Sequence, residues 1–332
     1  MSASLARRRL LSGLLAGALA PLATSPARAA TGPFPARPVR VIVPFAAGNT
    51  LDAALRLVGE RYRERTGQPL IIEARPGGSG VIAARAGATA APDGYTLLLA
   101  NTGMLTINPH TFASLPYDAV RDFRPVSGFL GSSLVFAVHP SVPAGTLPAF
   151  VAWARARPGK LSFASFTAGN SSHLAGVLLN QRAGLDMVHV PYNGTPPAVQ
   201  NLVGGQVQAA FLPLLAVQPH LEAGRLKVLA TTAAARSPLA ASVPTFRELG
   251  YPDLEIDIWA ALVAPAGTPD AVVARLNDDF AAILRGADLR QRWQAWDFVA
   301  QPSTPQALAA RIQGESGRWA EAVRLSGFRA AL

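Results

Sequence analysis

Residues 38–52 read Pro38-Val39-Arg40-Val41-Ile42-Val43-Pro44-Phe45-Ala46-Ala47-Gly48-Asn49-Thr50-Leu51-Asp52. Val39 to Val43 is an apolar run broken only by Arg40, the pattern of a strand buried on both faces. Phe45 to Thr50 makes a small, polar turn. Leu51, Ala54, Leu55, Val58 and Tyr62 then recur at helical spacing, with Arg56, Glu60, Arg63 and Glu64 on the opposite face. Gly67 ends that helix.

This strand–turn–helix unit repeats along the chain. Apolar strands are expected at 70–73, 95–99, 134–138, 161–164, 187–190, 208–212 and 227–231. Helices are expected from about 79 and at 148–156, 172–181, 196–203 and 213–223. Such alternation predicts an α/β protein with mostly parallel sheets. The end of the chain differs: a strand at 258–263 precedes three helices, from Thr268 with Pro269 at the first position, at 288–296, and from Ser303 or Thr304 onward. A helical block without strands of its own must pack on something earlier, and is expected to return to the first domain. The chain then crosses twice, near 129–135 and 257–263, giving two lobes around a cleft where ligands commonly bind. The expected division is a signal peptide at 1–29, a first lobe of 30–132 plus 257–332, and a second lobe of 133–256.

The signal assignment rests on Arg7, Arg8 and Arg9 ahead of an apolar run from Leu10 to Leu22, followed by Ala27-Arg28-Ala29. A basic start, a short apolar stretch and small residues before a cleavage point are the layout of a secretory signal. The run is shorter than the roughly 20 residues a membrane-spanning helix needs. The arginines ahead of Leu10 and Leu11 loosely match a twin-arginine export signal. The location implied is the periplasm.

Half of the 332 residues are hydrophobic and 15% are charged, so large cores can form. There is no cysteine, which excludes disulfides, thiolate metal sites and a cysteine nucleophile. The formal charge is +10, but four arginines and no acid lie in residues 1–29, leaving +6 on the rest. Those charges are scattered and mixed in sign, as in Arg61, Arg63 and Arg65 beside Glu60 and Glu64, which excludes a nucleic-acid footprint.

Enzyme motifs fail in turn. No His-Glu-x-x-His occurs, and His173 and His189 could meet only through the fold, so no metal is expected. There is no Gly-x-Ser-x-Gly elbow, and Gly159-Lys160 lacks the rest of a phosphate loop. Gly78 to Ala83 matches a dinucleotide-binding pattern, but no acid follows about 20 residues on; it reads as a turn, and no cofactor is expected. Ser165 to Ser172 with His173 has no acid at a recognisable spacing, which argues against a hydrolase and against catalysis in general.

Three polar turns stand out instead: Ala46–Asp52, Asn101–Asn108 and Ser165–His173. Each follows an apolar strand and precedes a helix or extended turn. Unpaired N–H groups at helix starts, with hydroxyl and amide side chains, bind anions without arginine. At the C-terminal ends of α/β strands, they define a carboxylate-binding cleft. Asp52 would repel an anion beside it and is read as a structural cap of its turn.

The runs Pro38 to Gly48, Pro92-Asp93-Gly94-Tyr95-Thr96-Leu97-Leu98 and Leu115-Pro116-Tyr117-Asp118 resemble the Bug family, the extracytoplasmic solute receptors of tripartite tricarboxylate transporters. The resemblance continues through His173-Leu174-Ala175-Gly176, His189-Val190-Pro191-Tyr192, Gly204-Gly205-Gln206-Val207, Ala264-Pro265-Ala266-Gly267-Thr268-Pro269, Glu315 and Trp319. It implies a type II periplasmic-binding-protein fold whose two α/β lobes, joined by a two-strand hinge, close on a small carboxylate held by amides, hydroxyls and water. It further implies membrane transporter subunits as partners; the chain itself is expected to be a monomer. The departures are Asn49 for the second glycine of the first turn, Ala74-Arg75-Pro76-Gly77 for the usual Asn-Arg-Pro-Gly, Thr167-Ala168-Gly169 for Gly-x-Gly, and Tyr192-Asn193-Gly194 for Tyr-Lys-Gly.

The expected ligand-binding residues are Gly48, Asn49 and Thr50 for one carboxylate, Asn101 and Thr102 beside it, and Ser165, Thr167, Asn170 and Ser171 across the cleft, with Asn193 a further candidate. Replacing Thr102 and Ser171 by alanine is expected to weaken binding and leave stability unchanged. The alternatives are a ligand sensor for a membrane two-component kinase and an exported hydrolase.

Overall fold

In the computed structural model, which describes residues 34–48 and 50–330, Val39–Val43 forms strand β1 with only Arg40 partly exposed. Residues 1–36 and 37–332 separate as two units, and every strand and helix below belongs to the second. The expected signal segment and Asn49 lie outside the described residues.

After the polar turn, α1 (Thr50–Thr66) buries Ala54, Leu55, Val58 and Tyr62, the stripe expected from its spacing. Strand β2 (Leu70–Ala74), helix α2 (Val81–Ala88) and strand β3 (Thr96–Asn101) follow. The single charge inside β1 is neutralised locally, since the Arg40 guanidinium donates to Glu73 on β2 at 2.8 Å and to Thr96 on β3 at 3.1 Å. A wide helical turn, Gly103–Ile107, leads to the short α3 (Asn108–Thr111) and then to β4 (Phe123–Val138).

The next part repeats the alternation: α4 (Leu147–Arg155), β5 (Ser162–Ser165), α5 (Ser171–Ala183), β6 (Val188–Pro191), α6 (Thr195–Val203), β7 (Ala209–Pro213), α7 (Leu214–Glu222) and β8 (Lys227–Thr231). The chain closes with β9 (Asp257–Pro265), α8 (Asp270–Leu284), α9 (Ala287–Gln294), the two-residue β10 (Val299–Ala300) and α10 (Pro305–Ser326). Thr268 does not cap α8 as expected. Its hydroxyl donates back to Pro265 at 2.8 Å, and Pro269 holds the cap position.

The strand order is β2-β1-β3-β9-β4-β7-β5-β6, with β8 and β10 also on β4. Strands β1, β2 and β3 run parallel, as do β5, β6 and β7. The two crossing strands run antiparallel to these neighbours. β4 pairs with β9 up to Ser133↔Asp257, and from Leu134 it pairs with β7 and β8. One continuous strand therefore serves both halves of the sheet. Each half has its own core: Ile42, Leu98, Ala100 and Trp259 in the first, and Phe136 with Phe150, Phe163 and Phe211 in the second. Phe136 lies 4.9 Å from Phe150 and 5.0 Å from Phe211 between ring centroids, distances at which aromatic pairs attract beyond the burial of their area.

Leu308 and Ile312 of α10 pack in the first core, while Trp319, Ala322 and Val323 pack in the second. Apolar residues along its length read as a buried face but do not specify one partner. Among the described residues, no helix is long and apolar enough to cross a membrane.

Candidate functional site

Because β1, β2 and β3 are parallel, their C-terminal ends open on one side, and the turn after β5 meets them. Pro44 after β1, Gly77, Ser79 and Gly80 after β2, Asn101 and Gly103 at the end of β3, and Phe166 to Asn170 after β5 line one cavity of about 260 Å³. The position is the one at which α/β sheets take ligands, outside the carboxyl ends of strands.

The Gly77–Gly80 turn holds four consecutive residues at positive φ (111°, 55°, 53° and 87°), including Ser79. A serine in this region is strained, and such strain persists where surrounding structure holds it, often at ligand sites. Gly80 also needs to lack a side chain, since a Cβ would lie 2.7 Å from Cγ and Sδ of Met104. Asn108 fixes the turn from below, donating from Nδ2 to the Ser79 carbonyl at 3.0 Å and to the Tyr117 hydroxyl at 3.1 Å.

Two asparagines face the cavity from the two halves. Asn101 Oδ1 accepts from Met104 N–H at 3.0 Å. Asn170 Oδ1 caps α5, accepting from the N–H groups of Ser172 (3.0 Å) and His173 (3.2 Å) and from the Ser172 hydroxyl (2.9 Å). With both oxygens committed, the Nδ2 groups are fixed in orientation and have no partner among the described residues. They are uncharged donors on opposite walls of one pocket.

A stacked histidine pair supports the Phe166–Asn170 wall. His173 and His189 lie face to face, with ring centroids 3.6 Å apart and planes 11° from parallel. His173 Nδ1 accepts from Gly169 N–H at 3.0 Å, so that nitrogen carries no proton. Ser165 Oγ donates to the Thr167 carbonyl at 3.1 Å and lies 2.7 Å from His189 Nε2, which makes His189 Nε2 the donor in that bond. Both rings are neutral. Burial pushes His173 down to about 4, and burial followed by repulsion from His173 pushes His189 down to about 3.

Of the residues expected to hold ligand, Asn101, Thr167 and Asn170 line the cavity. The Thr167 hydroxyl is turned onto the Phe166 carbonyl. Of the rest, Asn49 lies outside the described residues, and Gly48, Thr50, Thr102, Ser165, Ser171 and Asn193 do not line it. Gly48 N–H donates to Asp52 Oδ2 at 3.0 Å, which closes the first turn on itself. That bond first, and then Arg56, holds the Asp52 carboxyl below the usual carboxylate range. Thr50 begins α1 away from the cavity, and Asn193 is exposed ahead of α6. Ser165 is wholly buried beneath the wall, and Ser171 is buried in the first turn of α5. Thr102 is taken by the sheet: its Oγ1 accepts from Trp259 N–H at 2.8 Å and donates to the Trp259 carbonyl at 3.3 Å.

Thr102→Ala is therefore expected to cost about 1–3 kcal/mol of stability by orphaning a buried N–H, read as a lower urea midpoint. The expectation of unchanged stability does not survive this geometry. Ser79, Thr111, Phe112 and Phe328 line the cavity from outside the three expected polar turns, and Asn108 and Phe166 line it from within them. Three glycines in four residues after β2 signalled the Ser79 turn; nothing local signalled Phe328.

A larger cavity, about 950 Å³, lies beside β10 and is lined by Arg236, Arg290, Arg311 and Arg318 with Glu255, Asp257, Asp297 and Glu315. Arg311 is already paired there with Asp257 at 2.7 Å and Glu315 at 2.8 Å. Acids in that wall oppose an anion, so the smaller, uncharged cavity is the candidate site. Among the described residues no group of three or more His, Asp or Glu could hold a metal ion. Ser165 is wholly buried, and among the described residues no acid is hydrogen-bonded to His189 behind it.

Two α/β halves joined by two shared strands, with a cavity at the C-terminal strand ends, define a type II periplasmic-binding-protein fold. Residues 54–327 match the family described as the tripartite tricarboxylate transporter family receptor, TctC. The chain is 35% identical to Protein BugT of Bordetella pertussis (strain Tohama I) over 297 residues, 89% of this chain and 91% of BugT. Among solved structures it is similar to R. palustris Rpa4515 with adipate (TM-score 0.79, 32% identity, 89% of this chain and 99% of that one). It is also similar to MatC from Rhodopseudomonas palustris with bound malate (TM-score 0.74, 34% identity, 87% and 100%). The chain belongs to the TctC family of transporter receptors.

Proposed function

We propose that the chain is an extracytoplasmic receptor that binds a small organic carboxylate in the 260 Å³ cavity and presents it, chemically unchanged, to membrane subunits of a tripartite tricarboxylate transporter. The observation that carries this reading is the pair of locked amides, Asn101 and Asn170, offering N–H donors from opposite walls of a pocket whose described lining has no charged side chain. Adipate and malate, bound by the two solved relatives, are carboxylates. Closure supplies the mechanism: a ligand touching both walls stabilises the closed arrangement by its differential affinity for it. The moving bodies are the two expected lobes, 30–132 plus 257–332 and 133–256. Their pivot is where β4 leaves β9, at Ser133 and Leu134. The N-terminal basic and apolar segment directs the chain to the periplasm and is removed there. The chain acts as a monomer.

The test is a thermal-shift screen of the purified protein with organic acids, their neutral amides and sugars. An acid at a hundred times its Kd adds about 2.7 kcal/mol, which raises Tm by several degrees. Retention of neutral amides in preference to acids, or turnover of any bound compound, would overturn the reading.

A further inference from the structure

The ligand-facing surface has a second component that the anion donors do not explain. Three phenylalanines line it, Phe112, Phe166 and Phe328, and among the described residues no lining side chain is charged. Phe328 arrives by a separate route. Gly327, at φ 64°, ends α10 in the left-handed conformation and turns the chain, and Ser326 Oγ accepts from Phe328 N–H at 3.1 Å. The segment then crosses to the first half, where Ala330 N–H donates to the Thr111 carbonyl at 2.9 Å and Arg329 donates to the His110 carbonyl at 2.8 Å. The Phe328 ring meanwhile rests on the second half. It stands edge-on to His173 at 5.8 Å and 90°, against Gly169, where any Cβ would overlap it. The ring thus has a built seat, fixed on both sides of the cavity.

The geometry points to an aryl carboxylate, one anionic head on a flat apolar ring, as the ligand class of this pocket, with Phe328 as the residue that selects it. This rests on the receptor reading above and narrows it. An engineered apolar cavity of about 150 Å³ takes up benzene, so about 260 Å³ holds a ring and a carboxylate together. The two uncommitted amide donors accommodate one head. A second carboxylate would be set among phenyl rings with both amide donors already spent on the first, and burying a charge without hydrogen-bond partners is costly. Phenyl rings instead receive a flat ring by stacking or edge contact.

The experiment is isothermal titration of the full chain with benzoate, phenylacetate, adipate and malate, repeated on Phe328→Ala and Phe328→Leu. The expected result is that an aryl acid binds at least tenfold tighter than either dicarboxylate. Phe328→Ala should cut that preference about tenfold, and Phe328→Leu, which keeps apolar volume but not the flat face, should fall between. The preference ratio is read within each variant, so a general loss of stability does not mimic the effect. Tighter binding of adipate or malate, or a ratio unchanged by Phe328→Ala, overturns the inference and leaves the receptor reading standing. Binding of none of the four acids, with neutral ligands retained, overturns both.

Discussion

Asn170→Asp is expected to abolish acid binding, by a hundredfold or more, while changing stability by less than about 0.5 kcal/mol. Aspartate and asparagine are equivalent helix caps, and the retained Oδ1 still accepts from Ser172 and His173. The substitution exchanges the free N–H donor for an anionic oxygen. That removes a hydrogen bond to a charged group, worth about 1.5–3 kcal/mol, and adds repulsion in a partly desolvated pocket. At 1.4 kcal/mol per tenfold the sum exceeds two decades. Asn101→Asp is the matching change on the other wall, because its Oδ1 likewise holds Met104 N–H. Titration calorimetry beside a thermal melt checks both. Binding within fivefold of the parent would place the anion elsewhere.

The second large effect is on acid stability. His173 and His189 are neutral in the fold, held down to about 4 and about 3 first by burial, with mutual repulsion adding for His189. In the unfolded chain each titrates near 6.5. The unfolded state therefore binds more protons between these values, and stability rises with pH there. The contribution is complete above pH 6.5 and is lost progressively as pH falls toward 4 and 3. Two groups at about 1.4 kcal/mol per pH unit each give a loss of up to about 4 kcal/mol between pH 6.5 and 5. Urea unfolding at pH 7, 6 and 5 measures it, and His173→Gln should halve the slope. A flat profile would mean that the stacked pair is not neutral in solution. Protonation of His173 at Nδ1 would break the bond from Gly169 N–H that shapes the ligand wall, so affinity should fall in parallel.

Much of this architecture was legible because a single chemical rule decided it. The strand at Val39–Val43 and the helix after it follow from an apolar run and a 3.6-residue stripe. Strand β4 changes partner from β9 to β7 between Ser133 and Leu134. The first part of β4 was not legible as a strand. Pro125, Ser127, Gly128 and Gly131 interrupt the apolar pattern, and they are there for another reason: the backbone shifts register against β9 and packs tightly on Gln301.

The candidate site divides in the same way. Asn101 and Asn170 were found because amides at strand ends are recognisable. Gly48 and Thr102 share that chemistry, but their polar atoms are spent inside the protein, on Asp52 and on Trp259. Local sequence identifies a donor; only the fold shows whether it is free. Phe328 is the opposite case, an ordinary phenylalanine made important by a turn at Gly327 and a crossing more than 150 residues away from Gly169 in the chain.

Helix α10 supplies Ile312 to one hydrophobic interior and Trp319 to the other. During synthesis, neither interior can be sealed until the ribosome has released residues 305–326. Ile312 and Trp319 thus join their two interiors among the last residues to be made.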